Sequence, residues 1–352
     1  MDITPYVPGK SNLINHQTVI KLSSNEGALG PSPNAIKAYL RAANSLHRYP
    51  DGGSNDLREA IGARHGLDAD RIVCGAGSDE VLYLLGRSYA GPGDEIVFHE
   101  HAFIVYRLIA LGIGATPIEA LEVNLTANVD SILNAVSERT RVVFIANPNN
   151  PTGSYIPADE LNRLRAGLRE DILLVVDSAY AEYIARNDYS AGAELVDAGV
   201  NTVMTRTFSK AYALGGVRLG WAYCPQGVAD VLNRVRGPFN VSLPAQAAGI
   251  AALEDVSFLA MSRDHNSAWL PWLSEQIRTT KLTVYPSIAN FVLVRFPDDS
   301  VHDAAAAIAF LNDRGIIPRE TASHGLPGCI RITIGTEAEN RAIATALSEF
   351  MS

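Results

Sequence analysis

Residues 205–221 read TRTFSKAYALGGVRLGW and carry one lysine, Lys210, just past a β-like run from Asn201 to Arg206 (NTVMTR). Thr207 and Ser209 stand beside it and Arg218 follows eight positions later. An amine placed at a strand end among hydroxyls and a guanidinium suits a covalent anchor for a carbonyl cofactor, with polar groups around it to hold a phosphate. The plain alternative is a solvated lysine in a glycine-rich turn, and this stretch alone does not separate the two. What else falls at strand ends decides between them.

Upstream, Asp171 to Val176 (DILLVV) is a near-continuous apolar run, as expected of a strand covered on both faces, and it ends at Asp177 with Tyr180 three residues on. A carboxylate at the carboxyl end of a buried strand has the usual placement of a ligand group in an open α/β sheet. Arg141 to Ala146 (RVVFIA) is another such strand. It runs into NPNNPTG, residues 147–153, whose prolines and glycine stop the ladder. Pro157 then opens a helix with Leu161, Leu164 and Leu168 on one face. Earlier still, Arg71 to Cys74 (RIVC) leads through Gly75, Ala76, Gly77 and Ser78 into a helix whose stripe is Val81, Leu82 and Leu85, and Glu95 to Phe98 is a further strand. Strand, glycine turn and helix N-terminus together make an anion site, because the first-turn N–H groups point at the ligand. Neither GxGxxG nor GxxxxGK[ST] is complete, so no dinucleotide site or P-loop is supported.

The flanks differ in character. The first forty residues (PYVPGK, SSNEGALGPSPN) predict an extended arm lying on the rest of the chain, then a short helix from Ala35 to Asn44. HRYPDGGS, residues 47–54, is a turn cluster in which Pro50 biases Tyr49 towards an extended backbone. After the breaker-rich RGPFNVSLP (236–244) and an Ala-rich helical stretch, strands are predicted at Lys281 to Tyr285 and Asn290 to Phe296, with a helix from Val301 to Arg314. Cys329 to Ile334 alternates, with Ile330, Ile332 and Ile334 on one face and Arg331 and Thr333 on the other. This describes a small α+β unit completed by the arm. The expected division is 1–40 arm, 41–245 large unit, 246–352 small unit.

Composition excludes several function classes. With 352 residues, 47% hydrophobic and 19% charged, the chain is ordinary for a globular protein of about two domains. A net charge of -9 argues against a phosphate-backbone footprint, so nucleic acid is not an expected partner. No leader pattern or bilayer-spanning run is visible, so neither membrane association nor export is expected. Cys74, Cys224 and Cys329 lack any metal or disulfide spacing and read as buried thiols in a reducing cytoplasm. His99 and His101 form HxH with no distant ligand set, so no metal is expected.

The glycine turn at Gly77 and Ser78, the NPNNPTG loop, Asp177 with Tyr180, and Lys210 with Arg218 all fall at strand ends, so a parallel sheet gathers them on one edge. They fit pyridoxal phosphate (PLP) catalysis. A buried aspartate, Asp177, would keep the ring nitrogen protonated, while Tyr180 and Asn150 would donate to the ring hydroxyl. The N–H groups of Ser78 and Asp79, the hydroxyls of Thr207 and Ser209, and Arg218 would hold the phosphate. Lys210 would form the Schiff base and, once displaced by substrate, act as proton shuttle at the α carbon.

With KLSSNEGALGPSP, HRYPDGGS, GAGSDE, ANPNNPTG, DSAYAEY, TRTFSKAYALGGVRLGW and CIRITIGT in this order, the chain resembles, over essentially its whole length, the fold-type I PLP-dependent aminotransferases. Within them it resembles the histidinol-phosphate aminotransferases of the class II subgroup. The resemblance implies an α/β fold of aspartate aminotransferase type, with a mostly parallel seven-stranded sheet covered by helices and a small α+β domain. It implies the cofactor roles given above, Phe103 of HEHAFIVYR stacked over the pyridine ring, and a homodimer in which Tyr49 reaches the other subunit's cofactor phosphate. Arg331 matches the arginine that holds the substrate's anionic group, with Tyr6, Asn25, Asn150 and Arg319 as further substrate contacts. The segment RETASHGLPG, with His324, has no assigned match. The implied reaction is transfer between L-histidinol phosphate and 2-oxoglutarate in the cytoplasm. Alternatives left open are an aromatic amino acid aminotransferase, a lyase like the threonine-phosphate decarboxylases and, outside enzymology, a non-catalytic effector-binding module. The last is disfavoured by an intact Lys210 and the lack of a spare DNA-binding segment.

Overall fold

The computed structural model describes residues 8–14, 16–199 and 201–352. The arm contributes β1 (Ile20–Lys21), and α1 (Pro33–Ala42) starts where the Ser32 hydroxyl accepts from the amides of Asn34 and Ala35. That cap places the helix two residues earlier than its apolar pattern suggests. After α2 (Asn55–His65) the strand–helix alternation begins with β2 (Ile72–Gly75), α3 (Ser78–Tyr89), β3 (Glu95–His99), α4 (Val105–Gly112) and β4 (Thr116–Ala120). A small hairpin, β5 (Glu122–Val123) and β6 (Thr126–Ala127), precedes α5 (Val129–Ala135), β7 (Thr140–Ala146) and α6 (Ala158–Gly167). β8 (Leu173–Asp177), α7 (Ala193–Asp197), β9 (Thr202–Thr207) and β10 (Gly220–Tyr223) complete the large sheet.

The seven strands run in the order β2-β10-β9-β8-β7-β3-β4, all parallel except β10, which is antiparallel to both neighbours. The apolar runs are continuous because each strand feeds two cores. Val142, Phe144, Leu173 and Val175 pack towards α3 and α4, while Val143, Ile145, Leu174 and Val176 pack towards α6. Each such apolar side chain contributes about 1.5–3 kcal/mol on burial. The sheet is therefore a rigid platform whose carboxyl edge holds its loops in fixed positions.

The chain continues through α8 (Gln226–Val235), α9 (Leu243–Glu254), which packs on α1 and α2, and the long α10 (Val256–Thr279). β11 (Thr283–Val284), β12 (Phe291–Arg295), α11 (Ala304–Asp313), β13 (Ile316–Ile317), β14 (Arg319–Glu320), β15 (Cys329–Thr333) and α12 (Glu337–Phe350) follow. The strands expected at 281–285 and 290–296 are shorter, and the helix expected from Val301 starts at Ala304, where the Asp303 carboxylate caps the Ala306 amide. β11, β12, β15 and β14 form an antiparallel sheet in that order, with Ile330 and Ile332 buried under α10 and α12. The arm joins this unit through β1, which pairs parallel with β13. Cys74, Cys224 and Cys329 are buried free thiols. Among the described residues no helix is long and apolar enough to cross a membrane.

Candidate active site

The carboxyl edge of the large sheet, closed over by the arm and by β15, encloses a cavity of about 290 Å³. The turn after β2, the loop after β7, the end of β8 and the segment after β9 all reach it, because their strands are parallel. Arg218 arrives by a different route. β10 runs antiparallel, so its amino end lies at the same edge and places Arg218 beside the lysine turn. That reversal was not read from the sequence, where 205–221 looked like one strand and a turn.

Lys210 is half-buried, and its Nζ donates to the Ser24 carbonyl at 3.3 Å and sits 5.7 Å from the Tyr180 ring centroid. Burial lowers its pKa to about 8, and the positive charge of Arg331 adds to the effect. A buried ammonium loses hydration, so the neutral, nucleophilic amine is favoured at a pH where a surface lysine stays protonated. The solvated-turn alternative is excluded by this placement.

Asp177 lies on the cavity wall at the last position of β8. Its Oδ2 accepts from the Tyr106 hydroxyl at 2.8 Å and its Oδ1 from Thr205 Oγ1 at 3.2 Å. Burial raises its pKa to about 6, opposed by those two donors. It does not act as a helix cap. Neither Tyr106 nor Thr205 was singled out from the sequence. For Tyr106 the only signal was its spacing three residues after Phe103, and for Thr205 there was none, because its register opposite Asp177 exists only in the folded sheet.

On the far wall, Gly77 caps α3 at φ 86 with no side-chain bond, leaving the first-turn amides of Ser78 and Asp79 without intrahelical partners. A Cβ at Gly77 would collide with the Arg218 guanidinium, and one at Gly220 with the Ser78 amide. Close backbone approach at this cradle thus requires both glycines. Arg218 Nη2 donates to Asp79 Oδ2 at 3.3 Å, and its Nη1 donates to Ser209 Oγ at 3.5 Å and the Gly215 carbonyl at 3.0 Å. The cation and the hydroxyls of Thr207 and Ser209 face the same space as the helix N-terminus, an arrangement that suits a phosphate dianion.

The opposite end is built by the arm and β15. Arg331 Nη2 donates to the Ser23 carbonyl at 2.7 Å, and Nη1 donates to Asn150 Oδ1 in the NPNNPTG loop. Asn25, at φ 54, donates from Nδ2 to the Tyr180 hydroxyl at 2.9 Å, and its amide is accepted by Thr333 Oγ1 at 2.9 Å. Asn290 Nδ2 fixes the Asn25 carbonyl at 3.1 Å, a contact the sequence did not signal. Phe103 lines the cavity and meets Tyr106 edge-on.

Arg319 is the cross-strand neighbour of Arg331 but is not among the described residues on the cavity wall. Tyr6 lies outside the described residues. Tyr49 is 82% exposed, stacked on Phe239 at 4.6 Å, and not among the described residues on its own chain's cavity wall. His324 is buried between the charges of Arg331, Arg319 and His101, and desolvation lowers its pKa to about 3, so it is a neutral imidazole. His99 and His101 are bridged through their Nδ1 atoms by the buried Glu122 carboxylate at 2.6 and 2.9 Å. Among the described residues no cluster of three or more ligating side chains could hold a metal.

A lysine, a buried carboxylate and a glycine-lined anion cradle around one cavity define a PLP enzyme of the aminotransferase fold, and residues 17–347 match the family model for class I and II aminotransferases. The chain belongs to that family of PLP-dependent aminotransferases. It is 60% identical over 351 residues to the histidinol-phosphate aminotransferase of Paramagnetospirillum magneticum, covering 100% of this chain and 97% of the relative. The histidinol-phosphate aminotransferase of Sinorhizobium meliloti, solved in complex with pyridoxal-5'-phosphate, superposes with a TM-score of 0.89 at 29% identity, covering 95% of this chain and 91% of that one. An aspartate aminotransferase of Thermus thermophilus shares the fold, at 21% identity and a TM-score of 0.84 over 95% and 92% of the two chains.

Proposed function

We propose that the protein transfers the amino group of L-histidinol phosphate to 2-oxoglutarate, giving imidazole acetol phosphate and L-glutamate, as a cytoplasmic homodimer. The observation that carries the chemistry is the Lys210 amine sharing one cavity with Asp177 and Arg331. The substrate assignment is supported by the 60% identity, over the full length of this chain, to a relative of that name.

The cofactor supplies an electron sink for the negative charge that develops when the substrate's α C–H bond is broken. The residues suited to hold it are Asp177 at the ring nitrogen, Asn150 and Tyr180 at the ring hydroxyl, and Phe103 over the ring. Gly77, Ser78, Asp79, Thr207, Ser209 and Arg218 suit its phosphate. Lys210 would be its covalent anchor and, once released, the base that takes the proton from the substrate's α carbon. Arg331 binds the anionic end of each substrate in turn, and Asn25 orients the Tyr180 hydroxyl. Arg319, beside Arg331, and Tyr6 complete the substrate set in this reading. Tyr49, exposed on its own chain, is assigned to the partner subunit's phosphate. In this reading the expected boundary at 245/246 moves to the end of α9, which joins the large unit because it packs on α1 and α2.

Two measurements check this. Comparing kcat/KM with 2-oxoglutarate as acceptor, histidinol phosphate should exceed phenylalanine and tyrosine by at least about 100-fold, as buried groups that recognise a polar substrate discriminate strongly. Phenylalanine as the better donor would replace the substrate and leave the mechanism. Secondly, reconstitution of the apoprotein with PLP, followed by growth of the visible absorbance, should track the neutral fraction of Lys210. The rate should climb about tenfold per pH unit below pH 8 and level off above it. A rate still climbing towards pH 10 would mean an ordinary exposed amine.

A further inference from the structure

Tyr106 stands in the first turn of α4 with no exposure to solvent. Its ring lies flat on Phe144 of β7, with centroids 4.7 Å apart and planes 4° from parallel, and meets Phe103 at 5.9 Å and 90°. Held on two sides by aromatic rings, it has one place for its hydroxyl, which donates to Asp177 Oδ2 at 2.8 Å. From the next strand Thr205, in register with Asp177, donates to the other carboxylate oxygen at 3.2 Å. Each oxygen of Asp177 therefore has a neutral hydroxyl donor, and the carboxylate plane is fixed. Burial, with the negative charge of Asp177 next to it, pushes the Tyr106 hydroxyl well above the ordinary tyrosine range. The proton stays on Tyr106, which acts only as donor.

We propose that Tyr106, seconded by Thr205, is the positioning residue for Asp177, holding its carboxylate oriented and ionised so that the cofactor's ring nitrogen stays protonated. This rests on the assignment of Asp177 to the ring nitrogen made above. Burying a carboxylate favours its neutral form, and a neutral acid cannot hold a positive ring. Two donors in a low-dielectric site offset that tendency, and donors to a charged group are worth more than neutral pairs. Tyr106 also touches Phe103, so one rigid side chain sets both the group at the ring nitrogen and the aromatic over the ring.

Tyr106→Phe keeps the ring and its packing and removes only the donor. In the holoenzyme we expect the PLP dissociation constant to rise about tenfold. The pH midpoint of the visible absorbance should move up by about half to one unit. The direction follows because a more basic Asp177 would take up a proton itself and stabilise less positive charge on the ring, and with that charge reduced the bound cofactor would keep its titrating proton to higher pH. kcat should fall with the KM for the amine donor unchanged. Thr205→Val should shift the same readouts less, its bond being longer, and supplies them if Tyr106→Phe fails to fold. In an Asp177→Asn background Tyr106→Phe should change PLP affinity by less than about twofold, since it acts through the carboxylate. An unmoved midpoint and affinity in Tyr106→Phe, or equal losses in both backgrounds, would overturn the proposal. Should Asp177→Asn alone leave both readouts unmoved, the assignment of Asp177 itself fails; if it moves them and Tyr106→Phe does not, only the role of Tyr106 fails.

Discussion

Lys210→Ala is expected to lose borohydride-fixable cofactor entirely and to lower kcat by about 10⁴-fold, the upper range for removing a positioned proton-transfer group. Lys210 is the lysine on the cavity wall among the described residues, so no other ammonium there can take over the covalent link. The variant should still bind PLP through the anion cradle, because Ser78, Asp79, Thr207, Ser209 and Arg218 are untouched. A small exogenous amine should restore part of the rate by entering the space the side chain leaves. The check is reduction with borohydride, removal of free cofactor and measurement of retained absorbance. Cofactor fixed as in the wild type would show that another amine is the anchor.

Asp177→Asn should lower kcat by about 10³-fold, comparable to removing one member of a buried charge pair. An amide has nearly the same shape and satisfies neither need of the site. It carries no charge to hold a protonated ring nitrogen, and its NH₂ group would face the hydroxyl of Tyr106 or Thr205, each of which is a donor now. The same carboxylate imposes a pH limit. Its pKa is raised to about 6 by burial, so in the apoprotein it is ionised above that value and neutral below. PLP affinity should therefore weaken as pH falls through 6 in the wild type and be flat there in Asp177→Asn. Equilibrium dialysis across pH 5 to 8 measures both, and an asparagine variant within about fivefold of wild type in kcat would remove Asp177 from the mechanism.

The small unit and the arm carry a different part of the task. Arg331 faces the cavity because β15 alternates, placing Ile330 and Ile332 in the core and Arg331 with Thr333 on the opposite side. Its guanidinium then ties the Ser23 carbonyl of the arm and the Asn150 side chain of the large unit to one point. If Arg331 holds the substrate anion as proposed, binding would be coupled to the contact between arm, sheet edge and small unit, which would shield the cavity from water where charge develops.

The alternating pattern of strands, the residues at their ends and the order of NPNNPTG, Asp177, Tyr180, Lys210 and Arg218 were legible in the linear chain. Each is a local signal: apolar runs follow from burial on two faces, and glycine and proline mark turns through their own backbone limits. Parallel connections then put successive strand ends on one edge, so the constellation could be gathered without coordinates. Tertiary structure alone decided the antiparallel β10 that delivers Arg218, the Tyr106 and Thr205 donors to Asp177, and the Asn290 brace on Asn25. These depend on register and on contacts between segments far apart in sequence. A buried tyrosine in an apolar helix looks the same whether its hydroxyl meets water, a carbonyl or the carboxylate at the centre of the site, and only packing fixes which.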